Sequence, residues 1–229
     1  MNILKCAVIG VGYLGRFHAQ KFKMLPNAEL VGVCDANPET AARVAEELQV
    51  QAFTDYSALY DKVEAVSIAA TTQTHYQIAK DFIKHGIHVL IEKPITETVE
   101  QANELIELAR EHKVKLQVGH LERFNSARMA LDPHLDAPQF IESERLAPFN
   151  PRGTDVNVVL DLMIHDIDMI QNIVNSPIVS IDAQGTPVLT KEIDIANARI
   201  SFANHCVANV TASRVSFKTV RKTRISQRD

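Results

Sequence analysis

The chain has 229 residues, 46% of them hydrophobic, with a formal net charge of −4, which excludes a disordered or fibrous protein and suits one or two globular domains. The mildly acidic balance leaves no electrostatic footprint for nucleic acid. No apolar run reaches the length of a membrane span, and the N-terminus enters a strand with no signal-peptide pattern, so neither nucleic acid nor membrane is an expected partner. The three scattered cysteines, Cys6, Cys34 and Cys206, read as small core residues in a reducing compartment, which makes the cytoplasm the expected location.

The apolar strand Leu4–Ile9 runs into Gly10-Val11-Gly12-Tyr13-Leu14-Gly15, and a helix follows over Tyr13–Met24, with Leu14, Phe17, Phe22 and Leu25 near helical spacing. In such a strand–turn–helix the first glycine permits the turn and the second lets a pyrophosphate approach the backbone. The third lets helix and strand pack closely, and the N–H groups at Tyr13 and Leu14 open the helix toward the phosphates. The next strand, Glu29–Cys34, ends at Asp35, about twenty residues past the third glycine, where a carboxylate can hold a ribose diol. No arginine follows directly to receive a 2′-phosphate, so the expected cofactor is NAD.

Further strands are expected at Ala65–Ala69, Ile87–Ile91 and Lys115–Val118. Helices are expected at Glu39–Leu48 behind Asn37-Pro38, at Tyr56–Tyr60 behind Asp55, at Gln73–His85 behind Thr72, and at Val99–His112 behind a Thr98/Gln101 capping box. Strands separated by helices predict an α/β fold with a doubly wound parallel sheet over residues 1–119. Over 120–229 the pattern changes. A helix over His120–Ala130 ends at Asp132-Pro133; then come Gln139–Leu146, a loop through Pro148, Pro151 and Gly153, and a helix over Val158–Val174. The strands Val179–Ala183, Ile193–Phe202 and Cys206–Arg214 follow without intervening helices, which predicts a second α/β domain on a mostly antiparallel open sheet. Lys218, Arg221, Lys222, Arg224 and Arg228 form a basic tail that reads as a solvated strand or a frayed end.

Three constellations can carry chemistry. Glu92-Lys93-Pro94 stands at a strand end, where open α/β sheets bind their ligands, and a partly desolvated lysine there is a usable base; the alternative is a surface lysine beside a turn proline. Asp161 and His165 stand at i, i+4 on one helical face, either as a proton-handling pair or as a surface ion pair. No third ligand accompanies them at diagnostic spacing, so no metal is expected. Thr71, Thr72 and His75 follow another strand, with His75 as a positioning group.

The ordered set Gly10-x-Gly12-x-x-Gly15, Asp35, Thr71…His75, Glu92-Lys93-Pro94 and Asp161-x-x-x-His165 resembles the glucose–fructose oxidoreductase, inositol dehydrogenase and rhizopine-catabolism family (Gfo/Idh/MocA) over nearly the whole chain. The resemblance implies an NAD-binding Rossmann domain over 1–119 and a substrate-binding and oligomerisation domain over 120–229. It also implies a homo-oligomer through the C-terminal sheet and hydride transfer between a sugar or cyclitol carbinol and a nicotinamide. Cofactor contacts would come from Gly10, Gly12, Tyr13, Leu14, Gly15, Asp35, Thr71, Thr72, His75, Glu92 and Lys93. Lys93 and His165 would share the proton, and Asp161 would orient the substrate or the histidine. The family usually has proline where Thr72 stands, and its members are longer by roughly a hundred residues, implying either a truncated chain or a shortened sheet. A narrower resemblance lies in His120-Leu121-Glu122-Arg123-Phe124-Asn125 with Arg152-Gly153. It points to members acting on nucleotide-activated amino sugars, including those that oxidise the 3-hydroxyl of UDP-N-acetylglucosamine. It implies a substrate set of Lys93, Arg123, Asn125, Arg152, Asp161 and His165, with Arg123, Arg145 and Arg152 on the diphosphate. The rivals are an NAD-binding sensor without turnover, a free inositol or sugar dehydrogenase and, more remotely, a methyltransferase.

Overall fold

The computed structural model describes residues 3–151 and 156–228. The chain divides into two compact units, Met1–Gly119 and His120–Asp229. Among the described residues no helix is long and apolar enough to cross a membrane.

In the first unit β1 (Leu4–Ile9), β2 (Ala28–Cys34), β3 (Gln51–Phe53), β4 (Ala65–Ile68), β5 (His88–Ile91) and β6 (Leu116–Val118) form one sheet in the order β3-β2-β1-β4-β5-β6. All its pairs are parallel. Four helices connect the strands: α1 (Tyr13–Met24), α2 (Pro38–Leu48), α3 (Thr72–Lys84) and α4 (Val99–Glu111). Both faces are covered. Ala7 and Ile9 pack with Ile78, Phe82 and Leu105, while Val8 packs with Ala19, Leu30 and Val44. This double burial explains why the strands read as continuous apolar runs instead of alternating ones. The strand order reverses between β1 and β4, where such sheets open a crevice for ligands.

Several helix starts behave as their residues dictate. Asn37 accepts the N–H groups of Glu39 and Thr40, and Asp55 accepts that of Ser57, which opens a short 3-10 turn at Tyr56–Leu59. Thr98 accepts the Gln101 N–H at 3.3 Å, one half of a capping box. At α3 the expectation is corrected: the helix begins at Thr72, with Thr71 in the cap position and no side-chain cap bond. Thr72 therefore holds the first helical position, where a proline would also be at ease.

In the second unit β7 (Phe140–Leu146), β8 (Ile178–Thr186), β9 (Ile195–Phe202), β10 (Val207–Ser213) and β11 (Val220–Ser226) form a sheet in the order β11-β7-β10-β9-β8. The pair β7/β10 is parallel; β10/β9, β8/β9 and β11/β7 are antiparallel. The basic tail is thus the edge strand β11. The helix expected over His120–Ala130 is two pieces, a 3-10 turn at Leu121–Phe124 and α5 (Ser126–Leu131). Asn125 breaks it because its backbone is extended and its side chain accepts the Ala127 N–H to start α5. The later helix begins as a π-turn at Val159–Met163 and continues as α6 (Ile164–Val174). One sheet face packs on this helix: Ile141, Ala198, Ile200, Ala208 and Val210 meet Met163, Ile170 and Val174. The other face of β10 carries Asn209 and Thr211, hydrogen-bonded to Arg199 and Asn197 of β9. In this register Asn209 lies opposite Arg199 and Thr211 opposite Asn197.

Candidate functional site

The glycine loop uses each glycine for a different reason. Gly10 has φ +79, and a Cβ there would lie 2.6 Å from the Ala70 backbone across the β1/β4 switch point. A Cβ on Gly15 would sit 1.8 Å from the Gly10 carbonyl oxygen, so packing of helix on loop forbids any side chain. A Cβ on Gly12 would meet nothing within 4 Å. Gly12 offers no side chain to cap α1, and the helix has no acidic residue in its first turn, an arrangement suited to an anion at its N-terminus.

Gly10 and Gly12 line a cavity of about 730 Å³ together with Asp35, Asp55 and Thr71. Asp35 accepts the Val11 N–H through Oδ2 and the Asn37 N–H through Oδ1, both at 2.9 Å. The carboxylate is thereby held against the loop, and its remaining lone pairs can still accept ribose hydroxyls. Burial, with the Asp35 and Asp55 charges adding, pushes the Cys34 thiol up to about 12, so this cavity-lining sulfur stays protonated. The open side of Gly12, the uncapped helix and the Asp35 carboxylate fit a dinucleotide's pyrophosphate and adenosine ribose.

Other first-unit candidates point inward. Thr72 is buried and does not line the cavity, whereas its neighbour Thr71 does. His75 is 1% exposed; Nδ1 lies 2.9 Å from the Pro94 carbonyl oxygen and Nε2 3.1 Å from that of Ala70. It ties α3 to the loop after β4 and to Pro94, whose peptide bond with Lys93 is cis. Glu92 is also buried: Oε2 accepts the Lys93 N–H at 3.3 Å and Oε1 lies 3.2 Å from His18 Nε2. Thr72, His75 and Glu92 are thus buried, and His75 and Glu92 brace the loops that carry Thr71 and Lys93. Lys93 itself is half-buried at the end of β5. His18, on α1, bridges Ser67 of β4 at 2.7 Å to Glu92. Its position one helical turn past Gly15 is the only sequence signal for that contact.

In the second unit the Asn157 side chain accepts the N–H groups of Val159 and Leu160, both at 3.1 Å, and so starts the π-turn that bears Asp161. Wide turns of this kind recur at functional sites. Asp161 and His165 are half-buried, and Asp161 lines a cavity of about 460 Å³ with Phe149, Asn150, Arg214 and Arg221.

The arginines expected on a diphosphate are largely engaged within the unit. Arg123 holds Asp168 through Nε at 2.8 Å and Nη2 at 2.5 Å. Arg145 holds the buried Asp166 at 2.7 and 3.2 Å, and Ser143 donates to the same carboxylate. Arg152 lies outside the described residues. Asn125 is spent on the α5 cap and on Glu122. Asp194, which sequence reasoning missed, takes the N–H groups of Val188, Leu189 and Thr190 and pairs with the buried Arg214 at 2.7 Å. Burial alone would raise its carboxyl. The Thr190 N–H, the Arg214 guanidinium and the Val188 and Leu189 N–H groups reverse that and hold it far below the usual carboxylate range.

Residues 4–120 match the family model GFO_IDH_MocA, described as an oxidoreductase family with an NAD-binding Rossmann fold, and residues 134–226 match that of the GFO/IDH/MocA C-terminal domain. Over 227 residues the chain is 43% identical to UDP-N-acetylglucosamine 3-dehydrogenase of Acidithiobacillus ferrooxidans, an alignment covering 99% of this chain and 72% of the relative. A solved structure of that relative superposes with a TM-score of 0.92, over 98% of this chain and 74% of the other. The chain is also 28% identical to scyllo-inositol 2-dehydrogenase (NAD(+)) of Bacillus subtilis, covering 93% of this chain and 68% of the relative.

Proposed function

The chain belongs to the Gfo/Idh/MocA family of NAD-binding oxidoreductases, and we propose that it oxidises the 3-hydroxyl of UDP-N-acetylglucosamine or a closely related sugar nucleotide. It is an NAD-dependent dehydrogenase acting on a sugar CH–OH group. The observation that carries the substrate is the 43% identity to the A. ferrooxidans enzyme across 99% of the chain.

When bound, NAD⁺ supplies the hydride acceptor. The chain's residues bind and move protons around it. The Gly10–Gly15 loop and the N-terminus of α1 take the pyrophosphate, and Asp35 takes the adenosine ribose. With Asp55 lining the same cavity, a 2′-phosphate would meet two carboxylates, which favours NAD over NADP. Lys93 accepts the hydroxyl proton at Nζ, His165 shares that proton, and Asp161 orients the hydroxyl or the imidazole. Glu92 and His75 support this by holding the Lys93 amide and the Pro94 carbonyl. The free, buried cysteines fit a reducing cytoplasm. The sheet face that carries Arg199 and Asn209 would serve as a contact between copies, which light scattering would reveal as a mass above that of one chain.

The test is the growth of NADH absorbance with NAD⁺ and a panel of UDP-N-acetylglucosamine, myo-inositol and glucose. Turnover is expected with the nucleotide sugar alone. Turnover with free inositol instead would overturn the substrate, and NAD binding without turnover on any polyol or sugar nucleotide would leave a sensor.

A further inference from the structure

Arg221 differs from Arg145 and Arg214, the buried arginines of the same unit, in having no ion pair among the described residues. It lies on β11 directly opposite Arg145 of β7, while Thr223, two residues on, lies opposite Ser143 with the two hydroxyls 3.0 Å apart. Ser143 donates to Asp166 at the start of α6, so strand alternation puts Arg221 on the same helix-facing side as Arg145. Like charges directly opposed on one sheet face repel, and such an arrangement persists where anions offset it. Arg145 has Asp166 as its anion, and Arg214, in the same cavity as Arg221, has Asp194. On the outer side of β11, Lys222 and Arg224 face Glu144 and Glu142, with Arg224 at 2.9 Å from its partner. Among the described residues Arg221, unlike Arg145, Arg214 and Arg224, has no ion pair or side-chain hydrogen bond. It lines the cavity of about 460 Å³ that also holds Asp161.

A cavity with a carboxylate on one wall and an unmatched guanidinium on another fits a ligand that has hydroxyls at one end and an anion at the other. We propose that Arg221 binds the diphosphate of a sugar-nucleotide substrate in this cavity and so selects against free polyols. The assignment rests on the reading of Asp161 as a substrate-side residue. The planar guanidinium fork matches phosphate oxygens in pairs, which a lysine ammonium cannot do. Free inositol carries no anionic group to pair with Arg221.

Titration calorimetry with uridine diphosphate, in saturating NAD⁺ to occupy the cofactor cavity, reads the contact without turnover. Wild type is expected to bind. Arg221→Ala should weaken that binding about tenfold or more, with Arg221→Lys recovering part of it and NAD⁺ affinity unchanged in both. The KM for UDP-N-acetylglucosamine should rise by a similar factor while kcat stays within about twofold, the signature of lost ground-state binding. Equal uridine diphosphate binding by wild type and Arg221→Ala, or none by wild type, would overturn the assignment. So would a loss seen only for glucuronate, which would make the anion a sugar carboxylate. The two readings separate cleanly. Arg221-dependent uridine diphosphate binding with no NADH from any sugar nucleotide keeps the anion site and removes the dehydrogenase substrate. Turnover of UDP-N-acetylglucosamine with a KM indifferent to Arg221→Ala does the reverse.

Discussion

In the first unit the groups aimed at a ligand are mainly backbone: the Gly10–Gly15 loop, an uncapped helix start and strand ends at a switch point. In the second unit they are side chains drawn from several elements, with Asp161 on a π-turn, Arg214 beyond β10 and Arg221 on β11. A backbone cradle needs glycines at fixed spacing, so it leaves a mark in the sequence. A side-chain cradle needs only that charges meet, and the sequence does not say which acid each arginine will find. Arg123, Arg145 and Arg221 look alike in a string of letters, yet the fold commits the first two to Asp168 and Asp166 and, among the described residues, leaves the third without an ion pair.

The strongest way to break that contrast is to free one of the committed arginines. Asp166→Ala leaves the buried Arg145 guanidinium with only the more distant Glu122, at 3.9 Å, and should destabilise the protein by about 3–5 kcal/mol, seen as a lower denaturant midpoint. If the midpoint stays put, Glu122 alone satisfies Arg145, and the commitment of Arg145 to Asp166 falls.

The Lys93 side chain asks the same question of the first unit. Lys93→Ala should cut turnover about a hundredfold or more while leaving NAD⁺ affinity within about twofold, because the backbone cradle does not depend on it. Unchanged turnover would remove Lys93 from the proton-handling set.

The same contrast explains what was legible in the sequence. The parallel strands, their helices and the glycine loop follow from apolar runs and caps that are local, and Asn37, Asp55 and Thr98 cap as their types suggest. The element that escaped is β3, whose three residues are too few to show a period, while the solvated-strand reading of the basic tail holds for β11, where Lys222 and Arg224 face Glu144 and Glu142. His75 and Glu92 have the right types at the right place for ligand contact, but burial turns both inward. Asp194 was hidden because its partners, Arg214 and three consecutive N–H groups, come together only when the chain turns between β8 and β9.

Asp194 also gives the second unit a pH signature. Its folded pKa is depressed, so its stabilisation is complete above the unfolded carboxylate value of about 3.9 and is lost as pH falls through the lower folded value. The gap in unfolding midpoint between wild type and Asp194→Asn should therefore be flat from about pH 5 to 8 and close below about pH 4. A gap that persists undiminished in acid would mean that the carboxylate charge contributes nothing to the pair with Arg214.

The finest division falls within the glycine loop, where the roles of two glycines three residues apart, Gly12 and Gly15, can be separated by one methyl group each. Gly15→Ala places a Cβ 1.8 Å from the Gly10 carbonyl oxygen, and backbone cannot step aside as a side chain would. The loop must shift, at roughly 1–3 kcal/mol of stability. Gly12→Ala meets no protein atom within 4 Å, so its unfolding midpoint should match wild type. The same methyl group enters the space left for a pyrophosphate and should weaken NAD⁺ about tenfold. Calorimetry and thermal melts on the two variants thus give opposite patterns if Gly12 serves the ligand and Gly15 serves the fold. A Gly12→Ala protein that melts early with NAD⁺ affinity intact would reverse those roles, and the backbone cradle would have to be sought elsewhere along the β1/β4 crevice.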